Sequence, residues 1–197
     1  MSQQLSLFEA PPQPRPLAPP SMPDGFAYQP DLIDAAEERD LVKVFQDLDF
    51  QPYEHLGYLG NRRVAGFGWR RDDRGQMVET GELLPDFLRP LLAKVAGFTG
   101  FAPESFRHAL VTEYAPGAGI GWHRDRPPAV AIAGVSLLSP CAFRLRRQIG
   151  DRWARATLQA APRSVYLMAG PARSDWQHSI PPVGALRYSV TFRTVRA

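Results

Sequence analysis

Cysteine is all but missing from this sequence. Cys141 stands alone among 197 residues, which excludes a disulfide framework and leaves that residue to be read as a small core side chain. An N-terminal apolar run like that of a signal peptide or a membrane span is also lacking, so the expected setting is a reducing cytoplasm with no membrane partner. No segment repeats at solenoid or propeller length. Strong net charge is absent too: 23 basic against 20 acidic residues leave +3, which neither demands nor excludes a polyanionic partner. Histidine is scarce, with four residues, so the position of each carries information.

What is plentiful is proline, and much of it lies early. Pro11, Pro12, Pro14, Pro16, Pro19, Pro20 and Pro23 predict an extended, unpacked tail over residues 1–24. The remaining residues, 25–197, are enough for one domain with its own core, expected to be monomeric. Within them a helix capped by Asp34 is expected, carrying Leu41, Val42, Phe45 and Leu48 at helical spacing. A second opens after Leu84 with Pro85 in its first turn, buries Phe87, Leu88, Leu91, Leu92 and Val95, and is expected to stop at Gly97. From Ser105 the helical period gives way to short β-prone runs: Phe106–Tyr114, Val130–Leu138, Ala142–Arg147, Trp153–Gln159, Ser164–Met168 and Leu186–Val195. The fold class is therefore α+β and mainly β, a sandwich or jelly roll at 105–197 flanked by a helical N-terminal part at 25–104.

Two segments carry chemistry. In Gly121-Trp122-His123-Arg124-Asp125 the imidazole and the carboxylate are two residues apart, which in extended chain puts both on one face. Such a pair also occurs by chance in surface loops. A second imidazole, for which His178 is the natural candidate, would complete the two-His, one-carboxylate set that leaves positions open on iron(II). His55 and His108 read as ordinary polar or packing residues. The last strand alternates Arg187, Ser189, Thr191 and Arg193 against Tyr188, Val190 and Phe192. Buried arginine is costly unless paired, so that polar face suits a carboxylate ligand, a dicarboxylate above all. A solvated edge-strand face is the other reading.

Taken in order, Tyr114-Ala115-Pro116-Gly117, His123-x-Asp125, Gly170-Pro171-Ala172-Arg173 ahead of His178, and Arg187 to Arg193 resemble the AlkB family of iron(II), 2-oxoglutarate-dependent dioxygenases. The resemblance runs from about residue 106 to 193. It implies a double-stranded β-helix with His123, Asp125 and His178 as both metal ligands and catalytic residues. It also implies that Arg187 holds the distal carboxylate of 2-oxoglutarate, that Tyr114 bonds near it, and that Arg193 supports the end nearest iron. Thr112 and Ser189 stand where the family often has Asn, and each keeps a hydroxyl that can donate. The implied reaction consumes 2-oxoglutarate and dioxygen and hydroxylates a substrate carbon; an N-methyl group so hydroxylated leaves as formaldehyde.

The substrate is less legible. Tyr58 to Trp69 lies where such enzymes place a lid, making Tyr58, Arg62, Arg63 and Trp69 candidates to stack on a base of alkylated DNA or RNA and contact its phosphates. Packing of those aromatics onto the sheet is the plainer reading. Arg126-Pro127-Pro128 replaces the acidic residues that repair enzymes often carry after the metal-binding Asp, which leaves the lesion open and makes Arg126 a further substrate candidate. Arg144, Arg146 and Arg147 form a basic run that either meets phosphate or faces solvent. In the tail, Gln4, Leu5, Leu7 and Phe8 resemble the pentapeptide that docks bacterial repair proteins on the sliding clamp; an apolar terminus without a role is the alternative. A protein hydroxylase or demethylase using the same iron chemistry competes with nucleic-acid dealkylation, and a non-catalytic jelly-roll module is disfavoured by the joint presence of three ligands and two arginines.

Overall fold

The computed structural model describes residues 22–55, 58–71, 77–81, 83–125 and 129–195. Gln4, Leu5, Leu7, Phe8 and Arg126 lie outside the described residues, and so does the side chain of Tyr58. Among the described residues no helix is long and apolar enough to cross a membrane.

Two antiparallel sheets face each other. In chain order the elements are β1 (Phe26–Gln29), α1 (Ala35–Gln46), β2 (Gln51–His55), β3 (Tyr58–Phe67), β4 (Trp69–Arg71), β5 (Met77–Glu79), α2 (Arg89–Thr99), β6 (Phe106–Tyr114) and β7 (Ile120–His123). They continue with β8 (Ala129–Leu137), β9 (Cys141–Ile149), β10 (Arg152–Ala160), β11 (Val165–Met168), α3 (Gly170–Ser174), β12 (Gln177–Ile180) and β13 (Arg187–Val195). The larger sheet runs β1-β11-β8-β13-β6-β3-β2, the smaller β10-β9-β12-β7, and β4-β5 form a separate ribbon. This is the double-stranded β-helix, or jelly roll, expected from the sequence.

Helix α1 begins where its cap dictates. Asp34 accepts from the backbone N–H groups of Ala36 and Glu37 at 2.7 and 2.8 Å, and the Glu37 carboxylate accepts from the Asp34 N–H at 2.9 Å. Leu48 lies past its end yet still packs on the core. Helix α2 follows a 3₁₀ turn at Asp86–Leu88 and does not stop at Gly97. Glycine weakens a helix interior without breaking its hydrogen bonds. The stop needs a left-handed residue, and Gly100 supplies it with φ 73°. Both helices pack on the outer face of the large sheet, where Phe45, Leu88 and Val95 meet Val111, Val135, Val190 and Phe192 in one core. A second core, including Ile132, Phe143, Leu145, Met168 and Ile180, fills the space between the sheets.

The N-terminal part is less helical than its sequence suggested. Strand β3, anticipated as a lid, is a ten-residue member of the large sheet, bonded to β6 and β2. Its period of two, with Val64 and Gly66 on one side and Ala65 and Phe67 on the other, satisfies its backbone in the sheet. Strands β7 and β12 were likewise not anticipated, being only four residues each. Between them the register slips: Ile120 pairs with Ile180 but His123 pairs with His178, so β7 holds one extra residue. A bulge of this kind re-aims side chains, and here it turns His123 inward and Trp122 outward.

Gly134 on β8 sits across from Tyr166 on β11, whose ring covers it. A Cβ on Gly134 would overlap the ring and hydroxyl of that tyrosine, which is itself packed on Phe143 at 4.4 Å between ring centres. Gly134→Ala is expected to destabilise the fold by about 1–3 kcal/mol in urea titrations, as overpacking does. Adding Tyr166→Leu should restore part of that loss; full stability of the single variant would contradict the packing.

Candidate metal centre

The small sheet and the loop after its edge strand deliver three potential ligands to one point between the sheets. His123 ends β7 directly opposite His178 on β12, with ring centres 4.2 Å apart. Asp125 lies two residues beyond the strand. Its Oδ1 is 3.2 Å from Nε2 of His123 and 3.8 Å from Nε2 of His178, and the three donor atoms lie within 4.8 Å of one another. Donors about 2 Å from a common ion stand about 3 Å apart at right angles, so the set fits the facial arrangement of iron(II). Arg124, between the two ligands, ties the loop down by donating to the Ser174 carbonyl at 3.2 Å.

Protonation suits metal binding. Gly121 O can only accept, so Nδ1 of His123, 2.9 Å away, carries the proton and Nε2 keeps its lone pair. Burial pushes His178 down to about 3, leaving its imidazole neutral. Burial alone would raise Asp125, but the Arg193 guanidinium, joined by the two imidazoles, holds it well below the usual carboxylate range. Arg193 donates from Nε and Nη2 to Oδ2 of Asp125 at 3.1 and 2.9 Å, which leaves Oδ1 for the ion. Its Nη1 donates to Thr191 Oγ1 and to Nδ1 of His108. His108 can accept because burial, then the charge of Arg193, lowers it to about 3. Arg193, expected to support the metal end of the keto acid, therefore supports that end through the ligand carboxylate.

Beside this centre lies a cationic pocket. Arg187 is 1% exposed, the largest fully buried side chain of the described residues. Its Nε donates to Ser136 at 3.1 Å and its guanidinium lies 4.8 Å from the centre of the Tyr114 ring. Nη1 is buried with no partner, and no carboxylate pairs with Arg187 among the described residues. A lone buried cation costs several kcal/mol. The missing group is an anion, and the distal carboxylate of 2-oxoglutarate fits. Thr112 and Ser189, paired across β6 and β13, are buried on the same face of the sheet as Arg187 and Tyr114.

The substrate candidates separate. Arg62 lies on the metal-facing side of β3, stacked on Tyr53 at 3.7 Å, and reaches Gly119 O at 3.5 Å just before β7. Arg63 points the other way and is engaged by Glu113 through two hydrogen bonds of 2.8 and 3.0 Å, so it is withdrawn from the site. Trp69 packs against His108 with ring centres 6.2 Å apart. Its Nε1 is buried without a partner. Ser136 and His108 were missed from the sequence, although each shares strand parity with inward residues, Ser136 with Ile132 on β8 and His108 with Thr112 on β6.

The 2OG-Fe(II) oxygenase superfamily model matches residues 25–193. Alkylated DNA repair protein ALKBH8 homolog of Arabidopsis thaliana is 30% identical over 182 residues, covering 80% of this chain and 51% of that protein. Probable RNA/DNA demethylase ALKBH6 of Danio rerio is 34% identical over 110 residues, covering 56% of this chain and 43% of its own length. The chain thus spans about half the length of the curated relatives it matches. Among solved structures, OsALKBH1 superposes with a TM-score of 0.68 at 14% identity, over 88% of this chain and 98% of that one. A Pseudomonas putida prolyl-4-hydroxylase does so with 0.60 at 14% identity, over 88% and 94%. At such identities these two share the fold.

Replacing His123, Asp125 or His178 by Ala should lower the affinity for Mn(II) or Fe(II) by more than about 100-fold in anaerobic equilibrium dialysis, beyond what groups that only orient ligands produce. Arg187→Gln should leave metal affinity intact and weaken 2-oxoglutarate binding roughly 10- to 100-fold, the worth of charge-assisted hydrogen bonds. Calorimetric titration of the Mn(II)-loaded protein measures this, and unchanged affinity would remove Arg187 from the pocket.

Proposed function

Because this chain belongs to the 2OG-Fe(II) oxygenase superfamily, we propose that it oxidatively dealkylates damaged bases in DNA or RNA. The enzyme is an AlkB-like dioxygenase whose co-substrates are 2-oxoglutarate and dioxygen and whose metal is iron(II). The observation that carries the nucleic-acid reading is the kinship with two curated relatives whose names specify alkylated DNA repair and RNA/DNA demethylation. Arg62 supports it locally: stacked on Tyr53 and reaching across to the segment before β7, it offers a cation at the rim on the metal side.

Bound iron supplies the oxidation of a substrate C–H bond to C–OH, with 2-oxoglutarate leaving as succinate and carbon dioxide. His123, Asp125 and His178 would hold that ion while leaving adjacent positions open. Arg187, with Tyr114, Thr112 and Ser189, orients the keto acid from the buried side. Arg193 keeps the Asp125 carboxylate ionised and fixed, and His108 in turn fixes Arg193. On an N-alkyl base the C–N bond then breaks, the hydroxylated carbon departs as an aldehyde, and its hydroxyl proton passes to the nitrogen. Trp69 closes the site behind His108, where it excludes water. Docking on a bacterial sliding clamp through Gln4, Leu5, Leu7 and Phe8 belongs to the same proposal, supported by the pentapeptide and its proline-rich tether.

Protein reconstituted anaerobically with iron(II) and 2-oxoglutarate, then given air and a panel of alkylated DNA and RNA oligonucleotides, should release succinate together with oligonucleotides that have lost the alkyl mass. His123→Ala should abolish both. Oxidation of peptides but of no oligonucleotide would transfer the reading to a protein hydroxylase. Leu7→Ala with Phe8→Ala should remove clamp binding in surface plasmon resonance and leave oligonucleotide oxidation unchanged; undiminished clamp binding would remove that partner.

A further inference from the structure

The outer face of the small sheet is built in a way that the metal centre does not explain. Alternation on its four strands sends Phe143, Leu145 and His178 inward and Trp122, Arg144, Arg146, Trp153 and Arg155 outward. Arg146 lies between two indoles, 4.4 Å from the ring centre of Trp122 and 4.4 Å from that of Trp153. Arg144 covers Trp122 at 5.1 Å. The guanidiniums are held in place from below, with Nε of Arg144 donating to Ser179 and Nε of Arg146 to Gln177. Their terminal nitrogens have no carboxylate partner among the described residues, and neither has Arg155. The other outward positions on β9, β10 and β12 are Gln, Thr, Ser and Ala, so the face holds cations and no anion.

This layout works against the stability of the isolated sheet. Arg155 stands directly across from Arg146 in the β9–β10 pairing, and like charges in that position repel. Trp153 is 38% exposed at the end of the ladder, offering a flat apolar surface to water. The repulsion is relieved by an anion. Its charge must be spread, because the cations occupy two strands and the indoles flank them across a sheet about 14 Å wide. A chain of phosphodiesters with planar bases meets both requirements, since guanidinium takes phosphate and indole takes the π-face of any base.

The face is continuous with the reaction site. Strand β7 is the edge of the small sheet; it turns His123 inward and, one residue earlier, Trp122 outward. The His123 side chain is about one third exposed at that edge. We propose that the outer face of the small sheet binds the single-stranded nucleic acid flanking the oxidised base, with Trp122 and Trp153 as stacking platforms and Arg144, Arg146 and Arg155 on its phosphates. The proposal rests on the nucleic-acid reading of the substrate, which it extends from one base to the strand on either side of it.

Fluorescence anisotropy with labelled DNA and RNA pentanucleotides and fifteen-nucleotide strands, each with one alkylated base, tests it on the metal-loaded full chain. The wild type should bind the longer strands at least about tenfold more tightly than the short ones. Arg155→Glu and Trp153→Ala, both at exposed positions, should each remove most of that advantage while kcat and KM on the pentanucleotide stay within about twofold. The slope of log affinity against log salt on the longer strand should fall by about one in Arg155→Glu. Arg144→Gln with Arg146→Gln provides a second, charge-neutralising test, with thermal unfolding showing that each variant is folded. A length advantage that survives in all of these variants overturns the proposal and leaves the substrate reading standing, as does equal competition by polyglutamate. A wild type that oxidises no oligonucleotide of either length overturns both.

Discussion

The contact on which the site depends is the one between Asp125 and Arg193. A carboxylate in the space between two sheets would ordinarily take up a proton, and a protonated acid is a poor ligand for a divalent ion. Arg193 prevents this by gripping one oxygen from two nitrogens, so the other is left ionised beside the two imidazoles. The pair couples the sheets as well, since Arg193 belongs to the last strand of the large one and Asp125 follows the edge strand of the small one. Metal ligation and the closure of the sandwich are thus secured by the same two side chains.

Around that pair, the jelly roll sorts charge by depth. The helix-facing side of the large sheet is apolar, and the side facing the small sheet carries Arg187, Ser189, Thr191 and Arg193 in a row along one strand. Of the two arginines, one is engaged by the protein's own acid and the other has a buried nitrogen with no protein partner. That difference separates their proposed roles, Arg193 on the carboxylate of the metal centre and Arg187 toward the co-substrate. A keto acid bound as proposed would draw on a cation that the fold has already desolvated, which is preorganisation in the ordinary sense.

Much of this was legible in the sequence, and the reasons differ from part to part. The capping box at Asp34, the paired faces of residues 187–193 and the three ligands are local patterns or motif residues, and each stands where it was expected. The end of α2 was misplaced because the choice between Gly97 and Gly100 turns on backbone dihedral angle. Strand β3 was taken for a lid because its arginines and aromatics mask a period of two, and only pairing with β6 makes a strand of it. The engagement of Arg63 by Glu113, fifty residues away, could not be read from spacing at all. Nor could the place of His108, whose value lies in an acceptor nitrogen presented to Arg193.

The extra residue in β7 sets how this gene can and cannot vary in length. Ile120 and His123 both reach the interior although they are three apart, an odd interval that an unbulged strand would send to opposite faces. Loss of the single codon for Gly121 would preserve the reading frame and every side chain that carries chemistry. It would close the bulge and leave Ile120 and His123 two residues apart, both still directed inward, but it would take away the carbonyl to which Nδ1 of His123 donates. The length of β7 therefore bears on the metal centre through the backbone of a glycine, whose carbonyl sets which nitrogen of His123 keeps its lone pair.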